Sequence, residues 1–69
     1  MDEYLVVKFR ESRQVLLNGA PKGKTNELLT LEGGKYKVSL APPPDFTPPE
    51  QDIDLRNTAP NDPLEVEFT

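Results

Sequence analysis

Four carboxylates, Asp52 and Asp54, then Glu65 and Glu67, are the residues whose types and spacing come nearest to chemistry. Paired carboxylates can divide acid–base work when their environments push their pKa values apart. They can also hold calcium when six or more oxygens converge from a shaped loop. The pattern supports neither. The acids alternate with the apolar residues Ile53, Leu55, Leu64, Val66 and Phe68, which places all four on the wet face of strands. Asn57, Asn61 and Asp62 could add oxygens, but their spacing matches no calcium loop. The acids read as a solvated face that also discourages edge-to-edge aggregation.

A second stretch, Gly19-Ala20-Pro21-Lys22-Gly23-Lys24-Thr25, has the glycines, lysines and threonine of a phosphate cradle. A phosphate loop needs four residues between its glycines and a long helix after them. Here three residues intervene, Pro21 sits inside the loop, and no long helical pattern follows. Turn chemistry explains the segment. The chain has no cysteine and no histidine. It therefore lacks a thiolate nucleophile and the side chain best suited to proton transfer near neutral pH. No Ser/Thr–Lys arrangement is singled out by its spacing. We expect a non-enzymatic protein with no catalytic residue, no bound cofactor and no metal site.

Sixty-nine residues make one domain, residues 1–69, with no internal repeat and no dividing linker. A chain this short buries only about 60% of its unfolded surface, so its stability should be a few kcal/mol. The net charge is −4 and the pI about 4.6. Nucleic-acid binders carry a basic footprint that displaces counterions from phosphates, and this chain has none. Anionic membranes are disfavoured for the same reason. The N-terminus, MDEYLVVKFR, starts acidic and has only a short apolar run, unlike a signal peptide. No stretch approaches the ~20 apolar residues of a membrane span. As written the chain reads as soluble and cytoplasmic; excised from an exported parent, it would be extracytoplasmic.

The elements that position these residues are short strands. Leu5, Val7 and Phe9 alternate with Tyr4, Val6, Lys8 and Arg10. Val15 to Asn18 is a second strand, ended by the turn dipeptide Asn18-Gly19. Pro21 to Thr25 reads as a break, with a turn around Thr25 to Leu28. Leu28 to Leu31 is a short apolar run, and Glu32-Gly33-Gly34 offers the positive φ angles of a tight hairpin into Tyr36–Leu40. Ile53–Leu55 and Leu64–Phe68 complete the set. We expect an all-β fold: a small antiparallel sandwich of six or seven short strands with Greek-key connections. Its core should hold Leu5, Val7, Phe9, Val15, Leu17, Leu29, Leu31, Tyr36, Val38, Leu40, Ile53, Leu55, Leu64, Val66 and Phe68.

Five of the eight prolines fall between Ala41 and Glu50, a stiff loop that cannot be a central strand. No two of these prolines have the Pro–x–x–Pro spacing of an SH3 ligand. Phe46 stands out within the loop. It is expected to pin the loop onto the core, because burying a phenyl ring is worth roughly 1.5–3 kcal/mol. Phe46, Thr47, Pro48 and Pro49 are also the residues expected to meet a partner.

The pattern Val15-Leu16-Leu17-Asn18-Gly19, Gly23-Lys24-Thr25, Leu29-Thr30-Leu31 and Gly34-Lys35-Tyr36-Lys37-Val38-Ser39-Leu40 resembles the PEGA domain, over roughly residues 12–69. Phe46-Thr47-Pro48 fits that family's aromatic–proline element. Asn26 stands where the family's Gly-x-Thr-Pro has its proline, and Pro42-Pro43-Pro44 is an insertion. The resemblance implies a β-sandwich related to the transthyretin and carboxypeptidase regulatory folds. It also implies a non-catalytic module, often attached to larger bacterial or archaeal proteins. The expected function is an interaction or spacer module that binds a protein or peptide through an edge strand or the proline loop. The alternative is a carbohydrate or cell-envelope binding module, which would need exposed aromatics such as Tyr4 and Phe46.

Overall fold

The computed structural model describes residues 2–69; Met1 lies outside the described residues. Among the described residues, seven strands follow one another without a helix: β1 (Asp2–Lys8), β2 (Gln14–Leu17), β3 (Ala20–Lys24), β4 (Leu28–Glu32), β5 (Gly34–Leu40), β6 (Gln51–Leu55) and β7 (Leu64–Glu67). They form two sheets, a three-stranded one ordered β4-β1-β7 and a four-stranded one ordered β3-β2-β5-β6. The fold is an all-β sandwich.

Period-two alternation explains its inside. Leu5 and Val7 of β1, Val15 and Leu17 of β2, Val38 and Leu40 of β5, and Leu55, Val66 and Phe68 fill the space between the sheets, with Phe9 and Leu29. Leu31, Tyr36, Ile53 and Leu64 are half-buried around this cluster. Every residue expected in the core is therefore buried or packed against it. Full burial of each such side chain is worth about 1.5–3 kcal/mol.

The connections differ from the expected ones in three places. First, the segment after Asn18-Gly19 is a strand, β3, and not a break. Asn18 (φ 53°) and Gly19 (φ 85°) form the primed turn whose twist suits a hairpin, so the chain returns at once beside β2. Pro21 is tolerated because its missing donor faces the open side of this edge strand. Second, Glu32-Gly33-Gly34 is not a hairpin turn. β4 pairs with β1, whereas β5 pairs with β2 and β6, so the chain changes sheets here. Gly34 does have the expected positive φ, 146°. Gly33 is held by space: a Cβ there would lie 3.2 Å from the Leu55 carbonyl oxygen and 3.3 Å from Glu3 Cγ. Third, the sandwich is not wholly antiparallel. β7 runs parallel to β1, with Leu5 opposite Leu64 and Val7 opposite Val66. Residues 56–63 carry the chain across from β6 in the other sheet, and β7 enters alongside β1 in the same direction.

Candidate interaction surface

The proline loop is tied down at several points. Arg13, whose side chain is only 10% exposed, donates from Nη1 to the carbonyls of Ala41 and Pro43 and to Asp45 Oδ1, each at 3.0 Å. Its Nη2 bonds Glu11 Oε2 at 2.8 Å. Hydrogen bonds from Arg13 hold the Asp45 carboxyl below its ordinary pKa, and Asp45 with Glu11 raises that of Arg13. The Arg10 and Arg13 guanidinium groups lie over the Phe9 ring, 4.5 and 5.3 Å from its centre.

Phe46 is half-buried and meets Phe9 and Phe68 edge-on, with ring centres 6.3 and 5.7 Å apart. Thr47 exchanges backbone hydrogen bonds with Thr69, at 2.8 and 2.9 Å. Of the four residues expected to contact a partner, Phe46 and Thr47 are thus engaged within the molecule, while Pro48 and Pro49 are exposed. The structure brings these four together with the chain end at Thr69 and not with the acids of the strand faces.

Two polar groups whose roles the sequence did not show organise the opposite ends of the sandwich. Thr25, 1% exposed, accepts from the Arg13 amide at 2.8 Å and donates to the Glu11 carbonyl at 2.7 Å. Beside it the Asn26 amide donates to the Val7 carbonyl at 2.7 Å. Glu3 is buried on the inner face of β1. Its Oε1 accepts from the Thr58 hydroxyl at 2.6 Å and the Thr58 amide at 2.9 Å, and these bonds lower its pKa. The same hydroxyl oxygen accepts from the Tyr4 amide at 2.7 Å. The only local signal for Thr25 was its place after Gly23 in the turn; nothing local marked Glu3.

Asp52, Asp54, Glu65 and Glu67 all lie exposed on strand faces. An open groove of about 630 Å³ runs over β5 and β6, between Lys35 and Lys37 on one strand and Asp52 and Asp54 on the other. Lys35 stands opposite Asp54 and Lys37 opposite Asp52, so the charges of this groove balance. The aromatics form no exposed pair among the described residues: Tyr4 is half-buried, Phe46 packs inward, and the half-buried Tyr36 donates its hydroxyl to the Glu32 carbonyl at 2.6 Å.

The four sheet edges are unequal. At β3 the edge carries Pro21, Lys22, Lys24 and a bulge between Gln14 and Leu16 of its partner strand. A missing donor, a bulge and lysines all discourage a further strand. At β6 the open side is the backbone of Asp52 and Asp54, because Lys37 opposite Asp52 turns its amide and carbonyl to Asn18. At β7 the Gln51 amide donates to the Glu67 carbonyl at 2.7 Å, and Thr47 covers Thr69.

β6 keeps its outward groups unpaired among the described residues, and so does β4, where they adjoin an apolar side chain. The Tyr4 amide faces Thr58, so Tyr4 is a non-hydrogen-bonded partner of Thr30. By the same parity the backbone groups of Leu28, Thr30 and Glu32 point away from β1. The Glu32 carbonyl takes the Tyr36 hydroxyl, but the Leu28 and Thr30 groups have no protein partner among the described residues. Leu28 is also 48% exposed, the one large exposed hydrophobic side chain among the described residues.

No family model, no curated protein and no solved structure matches this chain.

Proposed function

We propose that this protein is a non-enzymatic interaction module that takes up an extended peptide of a protein partner along β4. The observation that carries this reading is the open β4 edge beside the exposed Leu28 side chain, whereas the open groups of β6 lie between the carboxylates of Asp52 and Asp54 and the β3 and β7 edges are blunted or covered. An unpaired edge offers main-chain hydrogen bonds to any extended chain, while side-chain positions supply selectivity. The proline loop is the weaker candidate, because Arg13, Phe46 and Thr47 fasten it to the body of the protein. The all-β sandwich also fits the PEGA-like, non-catalytic module that the sequence resemblance implies.

Selection of displayed random peptides against the protein tests the reading. Thr30→Pro removes an outward-facing donor from an edge strand and leaves the pairing with β1 intact. Selected peptides should bind the parent protein and lose at least tenfold in affinity, about 1.4 kcal/mol, for the variant. Peptides that bind both forms equally would place the contact elsewhere.

A further inference from the structure

The outer face beside β4 has a chemistry of its own. Tyr4 and Val6 of β1 and Leu28 of β4 lie on it together, with Val6 directly opposite Leu28. Around this apolar stripe stand Asp2, Glu32, Glu65 and Glu67, against the one lysine of the face, Lys8. Lys8 is paired with Glu65 at 3.2 Å. Asp2 and Glu32 sit directly opposite each other across the β1–β4 ladder, a like-charge arrangement that costs stability unless a cation joins it. Glu32 and Glu67 have no cation within ion-pair distance among the described residues. The outer face of the other sheet differs: on β5 and β6 its two lysines offset its two aspartates. The outer face of this sheet therefore carries an excess of negative charge, with Glu32 on the open edge, Asp2 one strand in and Glu65 and Glu67 two strands in.

We infer that the segment recognised at β4 is a basic extended peptide whose lysines or arginines alternate with apolar residues. This rests on the edge-strand reading and names the chemistry of its ligand. Added along Leu28–Glu32, a strand of that pattern turns one set of side chains toward the margin of the core beside Leu29 and Leu31. The other set lies over the outer face. There the aliphatic stems of lysines cover Leu28, and their amines reach Glu32 and, one strand further in, Asp2. An acidic strand would meet only repulsion. A second copy of this chain paired along β4 would set two acidic faces side by side, which disfavours that occupant.

Three labelled synthetic peptides, about seven residues long to match a strand, provide the test: alternating Lys-Val, Ser-Val and Glu-Val. Fluorescence anisotropy gives affinities, and amide shifts of Leu28 and Thr30 give the location. The Lys-Val peptide should bind about tenfold more tightly than Ser-Val, a difference of ~1.4 kcal/mol, and Glu-Val should not bind. Added salt should narrow the gap. Glu32→Gln, at an exposed position, should reduce it to about threefold or less with a melt no lower than the parent's. Equal binding of Lys-Val and Ser-Val at these amides would overturn the basic ligand while leaving the edge reading in place. Binding of no peptide at Leu28 and Thr30, or a free dimer with those amides already protected, would overturn both.

Discussion

Thr25 shows how one side chain joins segments far apart in the chain. Its hydroxyl satisfies the Arg13 amide and the Glu11 carbonyl within the buried turn between β3 and β4. Thr25→Val keeps the shape and removes both bonds, leaving a buried donor and acceptor unpaired. We expect a loss of about 1–3 kcal/mol by chemical denaturation, with Thr25→Ser much closer to the parent. Glu3 makes a second prediction. Hydrogen bonds from Thr58 depress its folded pKa, so its contribution is present above the ordinary carboxylate range and is lost as pH falls through the lowered folded value. Asp45 acts in the same direction through Arg13. The melting temperature should therefore fall on acidification, and Glu3→Gln should lower it near neutral pH while shrinking the acid-induced drop. An identical pH profile for the variant would mean that Glu3 contributes nothing through its charge. Thr25 stood in the Gly23-Lys24-Thr25 motif, but neither its bonds nor those of Glu3 were legible in the sequence. Their partners lie 12 to 55 residues away, and no local pattern encodes a contact of that separation.

At the scale of elements, alternation identified the buried face of each strand but not its neighbour. Leu28–Leu31 and Tyr36–Leu40 looked like two arms of one hairpin, because a glycine pair separates them. They belong to different sheets. Gly34 keeps its positive φ through this crossing, and a Cβ there would meet no atom within 4 Å. The cost of Gly34→Val is then backbone strain and not a clash, and we expect more than ~1 kcal/mol, read from the denaturant midpoint. β3 was missed because Pro21 argues against a strand, an argument that holds for central strands and fails at an edge. The proline loop was read correctly in one respect, since Phe46 does pack on the core. Replacing Phe46 with alanine should lower stability by about 1.5 kcal/mol, the lower end for a buried ring, and open the loop to proteolysis after Glu50. A protease-resistant loop in that variant would assign the anchoring to Arg13 and Thr47.

Over the whole molecule, the sandwich and its core were legible because period two is enforced wherever one face is dry. Val38 is fully buried at the centre of β5. With only a few kcal/mol of stability to draw on, Val38→Asp should unfold the chain, visible as loss of the cooperative melt. The proposed interaction surface was legible only in kind. An edge strand could be expected of any small sandwich, but choosing β4 required the pairing of all seven strands, the cover that Thr47 and Gln51 give β7, and the outward parity of Thr30. Its acidity required knowing which carboxylates share a face. The direct measurement is amide hydrogen exchange at Leu28 and Thr30 in the free protein and with the alternating Lys-Val peptide in excess. Both amides should exchange rapidly in the free protein, beside slow exchange at Leu29 and Leu31, whose amides face β1. The Leu28 and Thr30 amides should become protected when the peptide is present. Amides at Leu28 and Thr30 that are protected in the free protein, or that stay unprotected with the peptide bound, would contradict an open β4 edge that takes up a basic strand.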